Sequence, residues 1–102
     1  MSFDEFIESL RPGAEPPDGL SLPLQGLWHD AHGDWDRAHQ CAQEEQGRAG
    51  SWVHAYLHRK EGDAGNAGYW YARAGRQMPP PGLSPEAEWE GMARALLDRV
   101  GG

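Results

Sequence analysis

Apolar side chains recur along most of this chain every three or four residues, the spacing of amphipathic helices. The first apolar group consists of Phe3, Phe6, Ile7 and Leu10. Ser2 lies directly before this group and Glu5 lies within it, three residues later. This is the spacing of a capping box, in which each of the two side chains accepts a hydrogen bond from the backbone N–H of the other residue. The pattern predicts a short amphipathic helix over residues 1–10.

Residues 11–23 break this periodicity. The helix-breaking residues of the segment are Pro12, Gly13, Pro16, Pro17, Gly19 and Pro23. Proline lacks a backbone donor and glycine loosens the chain, so the segment is interpreted as a linker that lies over the body of the protein.

Residues 24–46 predict a first helical hairpin. Its apolar positions are Leu24, Leu27, Trp28 and Ala31, then Trp35, Ala38, Cys41 and Ala42. The first helix starts near Pro23 and ends at Gly33, and Asp34 is the expected cap of the second.

Residues 51–75 predict a second hairpin, after a break at 47–50. Ser51 is the expected cap of its first helix, Gly62 ends that helix, and Asp63 caps the next one, which reaches about Gly75. The apolar face of the first helix consists of Trp52, Val53, Tyr56 and Leu57.

A C-terminal helix is predicted over residues 84–100. Ser84 is its expected cap and Pro85 its first helical residue, a position that tolerates proline. Its apolar stripe consists of Trp89, Met92, Ala93, Leu96 and Val100.

The two hairpins resemble each other at a shift of 29 residues, which aligns Gly33 with Gly62, Asp34 with Asp63 and Ala38 with Ala67. The second hairpin resembles tetratricopeptide and Sel1-like repeats. The residues that carry this resemblance are Tyr56, Leu57, Asp63, Asn66, Ala67, Trp70, Tyr71, Arg73 and Ala74. Residues 51–63 are also similar to small bacterial proteins whose function is undetermined.

The expected fold is therefore all-α, a single domain of two helix-turn-helix hairpins of this repeat type, flanked by an N-terminal and a C-terminal helix. The resemblance implies a scaffold that binds peptides or protein partners. Because two repeats form a short solenoid, the flanking helices are expected to cover its ends, or to be covered by a second copy of the chain.

Composition narrows the possible partners and the compartment. The 102 residues carry a net charge of −7 and no stripe of lysine and arginine, which argues against nucleic acid. The single cysteine, Cys41, allows no internal disulfide and fits a reducing cytoplasm. No apolar run approaches the ~20 residues of a membrane span.

Histidines offer the sharpest chemical possibility. His54 and His58 are four residues apart, so both rings share one face of a helix, with Glu61 one turn further. This spacing suits zinc or another transition metal, with His29, the repeat equivalent of His58, as the expected third ligand and a carboxylate such as Glu61 as the remaining one. The alternative is that His29 and His58 each stabilise a helix end through the helix dipole.

Aromatic residues are the second candidate surface. The candidates for lining a concave binding surface are Trp28, Trp52, Tyr56, Trp70 and Tyr71, with His29 as a further candidate for partner binding. The helical periodicity of these aromatic residues also fits the core. Three consecutive aromatic residues at 69–71 cannot all face one core, so Tyr69 is expected to be exposed beside Arg73.

The sequence predicts no catalytic group. Cys41 occupies an apolar helical position and is expected to be an inert, buried thiol, despite His39 and His32 nearby in the sequence. The acidic start of the last helix is an ordinary complement to the helix dipole. The leading hypothesis is a non-enzymatic protein-interaction module; the alternatives are a histidine-based metal-binding protein and a small-ligand binder with an aromatic concave surface.

Overall fold

The structure is all-helical across the part of the chain that it describes. It is a computed structural model that describes the backbone of residues 1–101 and the side chains of residues 1–98. Its helices are α1 Phe3–Glu8, α2 Leu22–Ala31, α3 Trp35–Glu44, α4 Arg48–Lys60, α5 Ala64–Arg73 and α6 Pro85–Gly101. None of these helices has the length and apolar character needed to cross a membrane.

Side-chain caps fix most of the helix starts. Ser2 and Glu5 form both bonds of the predicted capping box. Asp34 and Asp63 accept backbone N–H groups at the starts of α3 and α5, at 3.1 and 3.2 Å. Ser84 accepts the N–H of Ala87 at the start of α6. These caps confirm the local predictions, because a cap depends only on residues within one turn.

The ends of α2 and α4 close in the same way. Gly33 donates to the carbonyl of Asp30 and Asp34 donates to that of His29, both at 2.9 Å. These two bonds form a Schellman motif, which requires a left-handed residue, and Gly33 has a φ of +82°. The motif recurs 29 residues later around Gly62, whose φ is +92°. The aspartate that completes each turn then caps the next helix.

Helix α4 starts earlier than the sequence suggested. The prediction that Ser51 caps this helix is wrong: α4 begins at Arg48 after an extended Gly47, and Ser51 is buried inside it. The early start is compatible with tight packing because Gly50 has no side chain. A Cβ atom there would lie 2.3 Å from the carbonyl oxygen of Glu45.

The core surrounds α4. This helix contacts α2, α3, α5 and α6, while α2 packs mainly on α3, and α1 contacts α6. The larger buried cluster consists of Phe6, Leu24, Leu27, Trp28, Ala38, Ala42, Val53, Tyr56, Leu57, Met92, Ala93, Leu96 and Leu97. The linker contributes Ala14 and Leu20 to its edge. The predicted stripe of α6 is buried at Met92, Ala93 and Leu96 and half-buried at Trp89, whereas the side chain of Val100 lies outside the described residues.

Two buried carboxylates tie the helices together. Asp30 accepts hydrogen bonds from the Tyr56 hydroxyl at 2.7 Å and from the Lys60 ammonium at 2.9 Å, linking α2 to α4. Glu88 accepts from Tyr71 and Arg59 in the same manner and links α6 to α5 and α4. Burial, followed by the hydrogen bond to Asp30, raises the pKa of Tyr56, so its phenol stays a donor.

The repeated turn yields a matched pair of glycine substitutions. Gly62→Ala places a side chain at a left-handed residue and should lower the free energy of unfolding by about 1–2 kcal/mol. Gly65→Ala, in the exposed first turn of α5, meets only an oxygen of Asp63 at 3.9 Å and should raise it by up to about 1 kcal/mol. Urea unfolding of the two variants measures both; equal effects would contradict the assigned turn.

Candidate functional site

Three histidines from two helices meet at one point of the structure. His54 and His58 lie one turn apart on α4, and His39 reaches them from α3, which packs against α4. One ring nitrogen from each of the three lies within 4.8 Å of the other two. His39, His54 and His58 are called the histidine cluster below.

The closest contact in the cluster joins two ring nitrogens. Nε2 of His39 and Nε2 of His54 are 2.9 Å apart, and the rings are nearly perpendicular at 87°. A neutral imidazole carries one N–H, so one of these nitrogens donates and the other accepts. The ring centroid of His58 lies 4.9 Å from that of His54 and 5.2 Å from that of His39.

Two tryptophans hold the rings in place. Trp35 stacks on His39 with ring centroids 4.8 Å apart, and Trp70 stacks on His54 at 3.9 Å. The indole N–H of Trp35 donates to the carbonyl of Leu57 at 3.2 Å, which fixes that indole against α4. The stacked indoles restrict how far the imidazoles of His39 and His54 can rotate.

Glu61 orients the third ring from outside the cluster. Its Oε1 lies 2.6 Å from Nδ1 of His58, a contact between a partly exposed carboxylate and a mostly buried ring. A ring that donates its Nδ1–H to a carboxylate keeps the lone pair on Nε2, and such carboxylates commonly hold histidine ligands in metal sites. Of the three histidines Glu61 bonds His58, and with His58 and Asp63 it forms a second, more exposed group of possible ligand atoms.

The cluster lies in surroundings that keep two of its rings neutral. His54 is 3% exposed, and burial, together with the neighbouring His39 and His58, lowers its pKa to about 4. Burial is also the main cause that lowers the pKa of His39, with His58 adding to it. Both rings are therefore neutral at pH 7, the form in which imidazole binds metal ions.

The prediction that His29 is the third ligand is wrong. His29 lies away from the cluster, and the third ring beside His54 and His58 belongs to His39. His29 is buried on α2 with its ring edge-on to Trp28. His29 and His58 occupy the same position before two similar turns, but on the different helices α2 and α4, and their rings do not converge. The sequence signal that could have identified His39 is its position four residues after Trp35, which places both residues on the side of α3 that meets α4.

Only some of the predicted surface aromatics reach the surface. Trp28 and Tyr56 are each 2% exposed and belong to the core. Trp52 is half-buried beneath Arg76. Tyr69 is 54% exposed, as expected, and its hydroxyl accepts a hydrogen bond from Arg73 at 3.3 Å.

Cys41 is a free, buried thiol on α3. Burial is the main cause that raises its pKa, with Glu44 adding to it, so the sulfur is protonated at neutral pH and is a poor nucleophile.

Comparisons with known proteins give no relative for this chain: no family model, no curated protein and no solved structure matches it.

The histidine cluster predicts a specific pH dependence for the metal-free protein. Below pH 6.5 the unfolded chain protonates His54, whereas the folded protein, in which this ring is buried beside His39 and His58, does so only near pH 4. The contribution of His54 to stability is therefore complete above 6.5 and falls as the pH drops towards 4.

Between pH 7 and 4, wild type should lose about 2–3 kcal/mol more of its unfolding free energy than His54→Gln, which has no ring to protonate. Urea unfolding in the presence of a chelator measures the difference. Parallel losses in the two proteins would contradict the low pKa of His54.

Proposed function

We propose that this protein binds a transition metal ion, zinc in the first instance, through the imidazoles of His39, His54 and His58. The observation that carries the proposal is the convergence of three histidines from two helices, with their nitrogens within 4.8 Å of one another. Imidazole is the commonest nitrogen ligand of zinc, and three histidines with one open position form a known type of zinc site.

One pair of ring nitrogens already lies close to the spacing that a bound ion requires. Zinc–nitrogen bonds of about 2.0–2.1 Å in a tetrahedral arrangement place the ligand nitrogens roughly 3.3 Å apart. The His39 and His54 nitrogens, at 2.9 Å, would move apart by a few tenths of an ångström. The nitrogen of His58, within 4.8 Å of the other two, would have to approach them.

The neutral rings of His39 and His54 and the carboxylate beside His58 also favour an ion at this place. Because the pKa values of His39 and His54 are lowered, few protons compete with a metal at neutral pH. Glu61 would hold the orientation of the His58 ring through the contact with Nδ1. The fourth position would be taken by water, since three protein ligands leave it open.

An ion held in this way would join α3 to α4. Metal that binds the folded protein alone adds stability in proportion to the logarithm of its concentration, about 2.7 kcal/mol at a hundred times the dissociation constant. Metal binding would thus strengthen the contact between the two predicted hairpins.

We also propose that the two helix pairs are a short repeat of the tetratricopeptide or Sel1 type. The shared Schellman turn and capping aspartate at a shift of 29 residues support this. Such a scaffold fits a non-enzymatic role in binding a protein partner.

If the two turns are equivalent, Gly33→Ala and Gly62→Ala should lower the free energy of unfolding by the same amount.

Zinc titration of the metal-free protein by calorimetry tests the metal site. Wild type should bind one zinc ion per chain, and His39→Gln should bind it at least about a hundredfold more weakly, because one of three ligands is gone. His29→Gln is the matched control and should bind as wild type does, since His29 lies outside the cluster.

Glu61→Gln is an independent test of the metal site that leaves the buried rings unchanged. Its carboxylate is at the surface, so the variant should fold normally and bind zinc about 10–100-fold more weakly. Cobalt(II) should give the intense visible absorption of a tetrahedral site in wild type and a weaker one in His39→Gln. Equal zinc affinity in wild type and His39→Gln would overturn the proposal.

A further inference from the structure

Two arginines and a tryptophan form one end of an open groove on another side of the molecule. Arg76 places its guanidinium 3.4 Å from the ring centroid of Trp52. Arg48, in the first turn of α4, lies with its guanidinium beside Gly75. A cavity of about 420 Å³ joins these residues to a longer one of about 810 Å³ that runs along α6. Both cavities together are called the arginine groove.

The positive charge of this groove has no partner in the described part of the chain. The ion pairs of residues 1–98 use Arg59, Lys60, Arg94 and His58, and neither Arg48 nor Arg76 takes part in one. The acidic residue among those that line the two cavities, Glu88, is buried and bonded to Arg59 and Tyr71. In a chain of net charge −7, two arginines that line one cavity without an ion pair mark a place where an anion is favoured.

The start of α4 adds donors at the same end. Arg48 and Ala49, the first two residues of this helix, line the smaller cavity. Gly47, the residue before this helix, donates its N–H to the Glu45 carboxylate at 2.9 Å, and its own position provides no side chain to cap the N–H groups that follow it in the first turn. The positive end of the helix dipole acts in the same direction as the two guanidinium groups.

The rest of the groove is shaped for an apolar chain. Ala87, Gly91 and Ala95 follow one another at single-turn spacing along α6 and form a low wall, with Leu83 and Met92 beside it. A Cβ atom built on Gly91 would meet nothing within 4 Å, so the wall is open to an incoming backbone. Trp52, half-buried, forms the floor where the apolar wall meets the arginines.

We propose that the arginine groove binds an acidic peptide segment of a partner protein, with carboxylates on Arg48 and Arg76 and an apolar side chain against α6. Arginine pairs with carboxylates through two parallel hydrogen bonds, which gives both strength and orientation. A small free anion would fill only the arginine end, whereas a peptide would also use the apolar wall. The proposal does not rest on the metal site, which uses other residues.

Random dodecapeptides displayed on phage are a suitable probe. Phage that bind the Arg48→Gln/Arg76→Gln variant are removed first, and the remaining phage are selected for binding to wild type. The selected peptides should share two or more Asp or Glu residues next to an apolar residue. A synthetic copy of the best peptide should bind at least about tenfold more weakly to Arg48→Gln/Arg76→Gln, because its carboxylates lose their partners. The matched control is Arg37→Gln, an exposed arginine on α3, which should bind it as wild type does.

Gly91→Leu tests the apolar wall without changing charge. Leucine is a better helix former than glycine, so the variant should keep its fold and weaken the peptide by at least about tenfold through steric blocking. The proposal is overturned if selection enriches no peptide, if the enriched peptides lack acidic residues, or if Arg48→Gln/Arg76→Gln binds them equally. It is also overturned if wild type forms a dimer that the double substitution disrupts, since the groove would then receive a second copy of the chain.

Discussion

Helix α4 is enclosed by its neighbours, and this enclosure decides where the polar groups of the protein go. Residues 53–57 are all buried, so no side of the helix at that level faces water. A buried polar side chain without a hydrogen-bond partner costs free energy. Tyr56 therefore bonds Asp30, and His54 bonds His39. The histidine cluster follows from this requirement, because the buried ring of His54 needs a hydrogen-bond partner and the ring of His39 on α3 provides one.

The repeated glycine-aspartate turn sets the geometry of the site. It ends α4 directly after His58 and Glu61, so the carboxylate that orients His58 belongs to the turn itself. The same turn between α2 and α3 directs α3 back towards α4 and delivers His39. The two proposed sites lie on different sides of α4, because Trp52 and His54 are two residues apart on a helix with 3.6 residues per turn. A ligand at one site need not disturb the other.

The sequence was informative wherever structure depends on neighbours along the chain. The capping box of Ser2, the caps at Asp34 and Asp63 and the glycine turns could all be located because each involves only a few consecutive residues. Ser51 looked like a cap on the same grounds, but the close contact of Gly50 with Glu45 allows α4 to start earlier. His54 and His58 could be paired from their spacing alone. His39 could not be joined to them, because its place depends on how α3 packs on α4.

Zinc-edge X-ray absorption of the zinc-loaded protein tests the histidine site, since it reports the atoms bound to the ion. Binding by His39, His54 and His58 predicts nitrogen or oxygen ligands alone at about 2.0–2.1 Å, with the outer scattering pattern of three imidazoles. A sulfur ligand at about 2.3 Å would assign the ion to Cys41 and contradict binding by the histidine cluster. An ion surrounded by oxygen atoms without imidazole scattering would contradict it equally.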